Sequence, residues 1–225
     1  MVSLRNEMKK SIVLLVCVML MCGLTAGCRN SNRDSAEILG VWKGSIDMTD
    51  HLHEGLSVYN PEFADVLALG GFTVSVIWRF EENGTYSMSV DPVAMEAEAR
   101  NLIAQLRAGM YRHLENKIET EGLSLTVEEL LTLADTDLDM LLEQALGEDP
   151  VSAIISAFKL NMSGNYELDN GKLYLSDNVD NKVDKDNYYT YELDGDKLVF
   201  KAGEFADSEA EEYAKIILPL ELKKD

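Results

Sequence analysis

The chain has 225 residues, 40 of them Asp or Glu against 20 Lys or Arg, for a formal net charge of −20. That balance argues against nucleic acid as a partner, and against binding an anionic membrane surface through basic charge. All three cysteines fall within the first 28 residues, so the rest of the chain offers no disulfide, no thiolate nucleophile and no cysteine-based metal site.

At the N-terminus, Arg5, Lys9 and Lys10 precede an apolar run, SIVLLVCVMLMCGLTAG, that ends at Cys28. The run is short for a membrane span, which needs about 20 apolar residues, and it closes in small residues. Leu24-Thr25-Ala26-Gly27-Cys28 resembles the bacterial lipobox, the signal for lipoprotein processing. The resemblance implies that residues 1–27 are a signal peptide cut before Cys28, that the Cys28 sulfur carries a diacylglycerol, and that the protein sits lipid-anchored on the extracytoplasmic face of the cell membrane. An uncleaved anchor gives the same topology. The mature chain then holds 17 basic and 39 acidic residues, a formal −22. RNSNRDS, residues 29–35, reads as a polar tether of about 25 Å at full stretch. Residues 28–37 form the lipidated cysteine and tether, and residues 38–225 the folded domain.

GVWKGSIDM, residues 40–48, alternates Trp42, Gly44 and Ile46 with Lys43, Ser45 and Asp47, the pattern of a strand with one buried face. Residues 49–71 connect to the next strand. Within them Asn60-Pro61-Glu62 opens a short apolar helix, with Asn as N-cap and Pro at the first position, and Gly70 stops it. FTVSVIWRF, residues 72–80, and TYSMSV, residues 85–90, form a hairpin around Glu82-Asn83-Gly84. Asp91-Pro92 ends the sheet, and residues 93–159 read as helical. Ala99, Leu102, Ile103, Leu106, Met110, Leu114 and Ile118 follow the 3-4 spacing of one helix face, and Gly122 stops it. Thr126-Val127-Glu128-Glu129 is a capping box for a second helix, which Thr136 with Asp139 reopens after a kink and Gly147 closes. Pro150 and VSAIISAF give a third.

The chain then repeats itself. Residues 166–175 read YELDNGKLYL and residues 191–200 read YELDGDKLVF. Each copy is a hairpin with a two-residue turn, Asn170-Gly171 or Gly195-Asp196, where φ > 0 favours Asn and Gly. Counting outward pairs Asp169 with Lys172, Leu168 with Leu173 and Tyr166 with Leu175. The second copy pairs Asp194 with Lys197, Leu193 with Leu198 and Tyr191 with Phe200. A polar loop, residues 177–187, separates the copies. IILPLEL, residues 216–222, reads as the last of eight strands, with Pro219 marking an edge or a bulge.

Gly40-Val41-Trp42 resembles the first strand of lipocalins and other calycins, and the Phe80-x-x-x-Gly84-x-Tyr86 phrase is similar to small bacterial lipocalin-like lipoproteins. The resemblance covers residues 38–48, 72–90 and 163–222. It implies an antiparallel eight-stranded calycin-like barrel whose closed end is plugged by Trp42. The class is mainly β with a large helical insertion (α+β). The insertion, residues 92–160, departs from the family pattern.

The barrel interior is the leading candidate site, with Trp42, Trp78, Phe80, Tyr86, Met88, Tyr166 and Tyr191 lining one inward face around a small apolar ligand. That reading expects an apolar cavity of a few hundred Å³, roughly the size of ligand sites, open near the 61–69 or 93–159 helices; a core filled by side chains is the alternative. His51 and His53, on one side of an extended segment, are the metal candidates, against a default of surface histidines. Asp177, Asp180, Asp184 and Asp186 suit calcium in residue type but lack EF-hand spacing. No catalytic motif is present, so the expectation is a non-enzymatic module without a cofactor. Its partner is a small apolar ligand or, alternatively, a protein, cationic in charge, docked on the acidic surface or the helical insertion.

Overall fold

The computed structural model describes residues 34–158, 161–206 and 208–225. The leader and Cys28 lie outside the described residues. The chain falls into two compact units. One comprises the described residues up to Ile46, of 74–91 and of 159–225; the other comprises Asp47–Thr73 and Pro92–Phe158.

The first unit is a closed antiparallel barrel of eight strands in sequence order: β1 (Gly40–Asp47), β2 (Thr73–Phe80), β3 (Thr85–Val90), β4 (Asn161–Asp169), β5 (Lys172–Leu175), β6 (Tyr188–Asp194), β7 (Lys197–Glu204) and β8 (Leu220–Lys224). It also carries a short helix, α1 (Asp34–Glu37), before β1. Strict up-and-down order sorts the connections by end. The β2–β3, β4–β5 and β6–β7 turns share one end with the start of β1 and the finish of β8, and every long connection leaves from the other.

Register follows the expected pairs. Tyr166 faces Leu175, Leu168 faces Leu173 and Asp169 faces Lys172; Tyr191 faces Phe200, Leu193 faces Leu198 and Asp194 faces Lys197. Asn170 (φ 51°) and Gly171 (φ 76°) both adopt the left-handed conformation that this tight turn requires. One feature of the second hairpin is invisible in the repeat. A bulge at Thr190/Tyr191 sets Thr190 opposite Ala202 and leaves Lys201 as the extra residue.

The second unit is helical: α2 (Thr49–Tyr59), α3 (Pro61–Val66), α4 (Pro92–Thr120), α5 (Val127–Leu133), α6 (Leu138–Leu146) and α7 (Pro150–Ala157). The Asn60 side chain caps α3 by accepting from the Phe63 N–H at 3.1 Å, with Pro61 at the first position. The capping box of α5 is complete: the Glu129 N–H donates to Thr126 Oγ1 at 3.2 Å, and the Thr126 N–H to Glu129 Oε2 at 2.8 Å. Gly109 of α4 admits α3 closely, since a Cβ there would sit 2.7 Å from Leu67 Cδ1.

Three sequence expectations are corrected. Residues 49–59 form a helix where a connection was expected; Met48, Leu52 and Leu56 carry the four-residue spacing that marks it. The expected kink near Thr136 is a break between two helices. Asp135 takes φ 50°, and Asp137 caps α6 by accepting from the Met140 N–H at 2.8 Å. The last strand does not begin at residue 216. A helix, α8 (Ser208–Ile217), runs first, and Pro219 precedes β8 instead of interrupting it. Pro219 therefore removes no ladder donor.

Candidate functional site

Strand alternation sends one set of side chains into the barrel. The burial pattern of β2 is strict, with Val74, Val76, Trp78 and Phe80 buried and their neighbours partly exposed or exposed. Cross-strand pairing then aligns Trp78 with Met88 and Phe80 with Tyr86. All seven residues expected to line the interior are buried. Trp42 is wholly inaccessible, and Tyr166 and Tyr191, the least covered, are 8% exposed.

The structure brings most of them together around Trp78. Its ring stacks on Phe80 (centroids 5.9 Å, 17°) and on Tyr86 (5.8 Å, 19°), while Phe200 meets it edge-on at 5.3 Å. Phe80 in turn takes Tyr166 edge-on at 5.0 Å. Such offset and T-shaped pairs are favourable beyond the area they bury. Trp42 stands apart, at the start of β1 and thus at the tight-turn end. Its Nε1–H donates to the Ile38 carbonyl at 2.6 Å, and the Lys224 ammonium lies 5.1 Å from its ring.

The polar atoms of this interior differ in how they are held. Tyr86 Oη donates to the Ser176 carbonyl at 3.0 Å, and Tyr166 Oη to the Glu81 carbonyl at 3.2 Å. Burial, and secondarily the charge of Asp177, pushes the Tyr86 hydroxyl above its ordinary range; burial and then Glu81 do the same for Tyr166. Both phenols stay protonated and are engaged with main chain. Trp78 Nε1–H is different: it is buried and has no hydrogen-bond partner among the described residues. An orphaned buried donor costs about 1–3 kcal/mol.

Phe200, Leu173, Leu198, Leu220 and Leu222 also belong to the interior, each at most 2% exposed. The hairpin pairing had already placed Phe200 beside Tyr191 and Leu198 beside Leu193, so face-counting alone could have added them. Leu220 and Leu222 were obscured by reading Pro219 into their strand. Small interior positions are filled too. A Cβ on Gly44 would lie 2.5 Å from Leu222 Cδ2, and one on Gly164 would lie 2.1 Å from the Ser176 carbonyl oxygen. The hollow present is not the apolar cavity expected near the 61–69 or 93–159 helices. At the tight-turn end a hollow of about 510 Å³ opens to solvent, lined by Leu39, Phe80, Arg79, Glu81, Glu82 and Asn83, so it is not an enclosed apolar chamber.

The remaining candidates are dispersed. His51 and His53 lie on α2, where two residues turn the side chain by about 200° and set them on different faces. His53 Nε2 lies 3.2 Å from the Ala64 carbonyl oxygen. Among the described residues, no three His, Cys, Asp or Glu converge as metal ligands would. Two acids of the 177–187 loop, Asp177 and Asp184, accept hydrogen bonds from within the loop. Asp184, 7% exposed, accepts from the Asp186 N–H at 2.9 Å and from the Asn187 amide. Asn165 Nδ2 donates to the carbonyls of Val179 and Asn181, fastening the loop to β4. No helix among the described residues is long and apolar enough to cross a membrane. No family model, no curated protein and no solved structure matches this chain, so its likeness to lipocalins rests on the barrel topology and the motifs in β1, β2 and β3.

Proposed function

We propose that the protein is a lipid-anchored extracytoplasmic binding module whose barrel interior takes one small, mainly apolar ligand bearing a hydrogen-bond acceptor. The observation that carries this reading is the Trp78 Nε1–H among Phe80, Tyr86 and Phe200, which has no partner among the described residues. An apolar surround supplies affinity by burial, and a single donor supplies orientation. Met88 and Met162, paired across β3 and β4, are unbranched and yield most readily to an entering group. The Tyr86 and Tyr166 hydroxyls are already engaged with main-chain carbonyls. The anchor rests on the basic leader, the apolar run and the Leu24–Cys28 motif.

Native mass spectrometry of the full chain, extracted from its own membrane in detergent, tests the ligand. A small-molecule adduct that is lost on Trp78→Phe is expected; the bare protein mass in every preparation would count against it. Cys28→Ser is expected to abolish the added lipid mass and to release the chain from the membrane fraction. Retention of both would contradict the anchor.

A further inference from the structure

The helical unit carries 18 acidic and 4 basic residues. The imbalance concentrates in one stretch. Residues 118–158 contain ten Asp and Glu and no Lys, Arg or His. Some of these acids have structural work: Asp137 and Asp149 cap α6 and α7, Glu129 completes the capping box, and Asp139 pairs with Arg107 of α4. Glu119, Glu121, Asp135, Glu143 and Glu148 are exposed and make no ion pair among the described residues.

The same stretch leaves apolar side chains in water. Leu133 is 74% exposed, Leu123 43% and Met140 41%. Helices α5 and α6 fully bury one residue each, Val127 and Leu142, while Leu130, Leu131, Leu138 and Leu141 stay partly open. Leucines that cover this little of themselves are expensive to display, and the field around them is of one sign.

We infer that residues 121–148 form a docking surface for a cationic amphipathic segment of another protein. Charge complementarity selects the occupant. Nucleic acid and an anionic bilayer are repelled, and a second copy of a chain with net charge −20 brings the wrong sign. A basic helix with one apolar face supplies both the missing cations and the missing apolar cover. The inference is independent of the barrel ligand, because every residue it uses belongs to the helical unit.

The test titrates the full chain in detergent with a helix-forming peptide of leucine and lysine, about 14 residues long. Two controls accompany it: a lysine-only peptide and a leucine–glutamate peptide. Binding of the leucine–lysine peptide alone is expected, weakening about tenfold as salt rises from roughly 50 to 300 mM. Hydrogen-exchange protection should appear within residues 121–148. The double substitution Leu133→Ser with Met140→Ser removes exposed side chains and should leave the thermal midpoint unchanged while weakening binding about fivefold. Asp135→Asn with Glu143→Gln and Glu148→Gln should weaken binding and flatten its salt dependence. Equal binding of the lysine-only peptide, protection elsewhere in the chain, insensitivity to both variants, self-association, or association with anionic vesicles in place of the peptide would each overturn the proposal.

Discussion

The two units solve the problem of burying apolar surface in different ways. The barrel does so by closure: every strand is paired on both sides, and one face of each strand contributes to a shared interior of interlocked rings. The helical unit does so by pieces. Its 29-residue helix α4 fully buries Met95, Ala99, Leu102, Gly109 and Ile118, and α2 fully buries nothing. Its short helices depend on local devices, namely the caps at Asn60, Thr126, Asp137 and Asp149. A closed interior is intolerant of change at any point, whereas a capped array gives way one turn at a time.

Substitutions of like kind in the two units should therefore part company. Phe200→Ala, at a site 1% exposed and against the Trp78 ring, is expected to cost about 4 kcal/mol in a denaturant titration. Leu133→Ala, exposed on α5, should stay within about 0.5 kcal/mol. Comparable losses would show that the ring contacts around Trp78 do not hold the barrel together. The glycines give a second contrast. Gly164→Ala drives a methyl to 2.1 Å from the Ser176 backbone oxygen and should cost about 3 kcal/mol. Gly109→Ala meets the mobile end of Leu67 and gains about 1 kcal/mol of helix propensity, so a change of less than about 1 kcal/mol is expected.

The units should also differ in pH response. Tyr86 in the barrel has its pKa raised by burial, so its contribution is fully present below the ordinary value of 10.0 and is lost as pH rises beyond it. Alkaline unfolding of the barrel should shift upward in Tyr86→Phe, provided the lost hydroxyl bond to Ser176 is corrected for at neutral pH; an unchanged alkaline midpoint would remove Tyr86 from that role. Loss of the capping box in Thr126→Ala should cost about 1 kcal/mol and speed exchange of the first α5 amides, with both indole signals unmoved. The smallest effect lies at the acid end. Asp149, lowered by its hydrogen bonds to Ser152, supports α7 above its ordinary 3.8, and that support fades as pH falls through the depressed value. Asp149→Asn should flatten this acid fraying, and an identical acid profile would argue against it.

The barrel is largely legible in the sequence, and for a physical reason. A period of two with tight turns leaves a single register, so the pairing of Tyr166 with Leu175 and of Tyr191 with Phe200 could be counted from Asn170-Gly171 and Gly195-Asp196. Capping chemistry was legible for the same kind of reason, since Thr126 and Glu129 interact across one turn. What failed were places where a local signal had two meanings. Met48, Leu52 and Leu56 sit in a connection rich in His and Asp, and their helical spacing went unread beside the stronger Asn60-Pro61 signal. Pro219 reads in sequence as an irregularity within a strand, whereas it separates α8 from β8. At the site, face membership could be counted, but neither the ring angles about Trp78 nor the orphaned Nε1–H could, because alternation fixes which rings are neighbours and not how they tilt, and Phe200 arrives from a strand far along the chain.

The chain contains two tryptophans, which makes the central claim directly measurable. In an ¹⁵N-labelled sample the indole N–H of Trp42 is committed to Ile38, while that of Trp78 has no partner among the described residues. Titration with 2-acetylnaphthalene, an apolar ring system with one carbonyl acceptor, should move the Trp78 indole resonance downfield and leave that of Trp42 in place. Naphthalene, which lacks the acceptor, should bind about tenfold more weakly, the value of roughly one hydrogen bond. If neither compound moves the Trp78 signal, or both move the two indoles alike, the barrel interior is a closed core and not a ligand site.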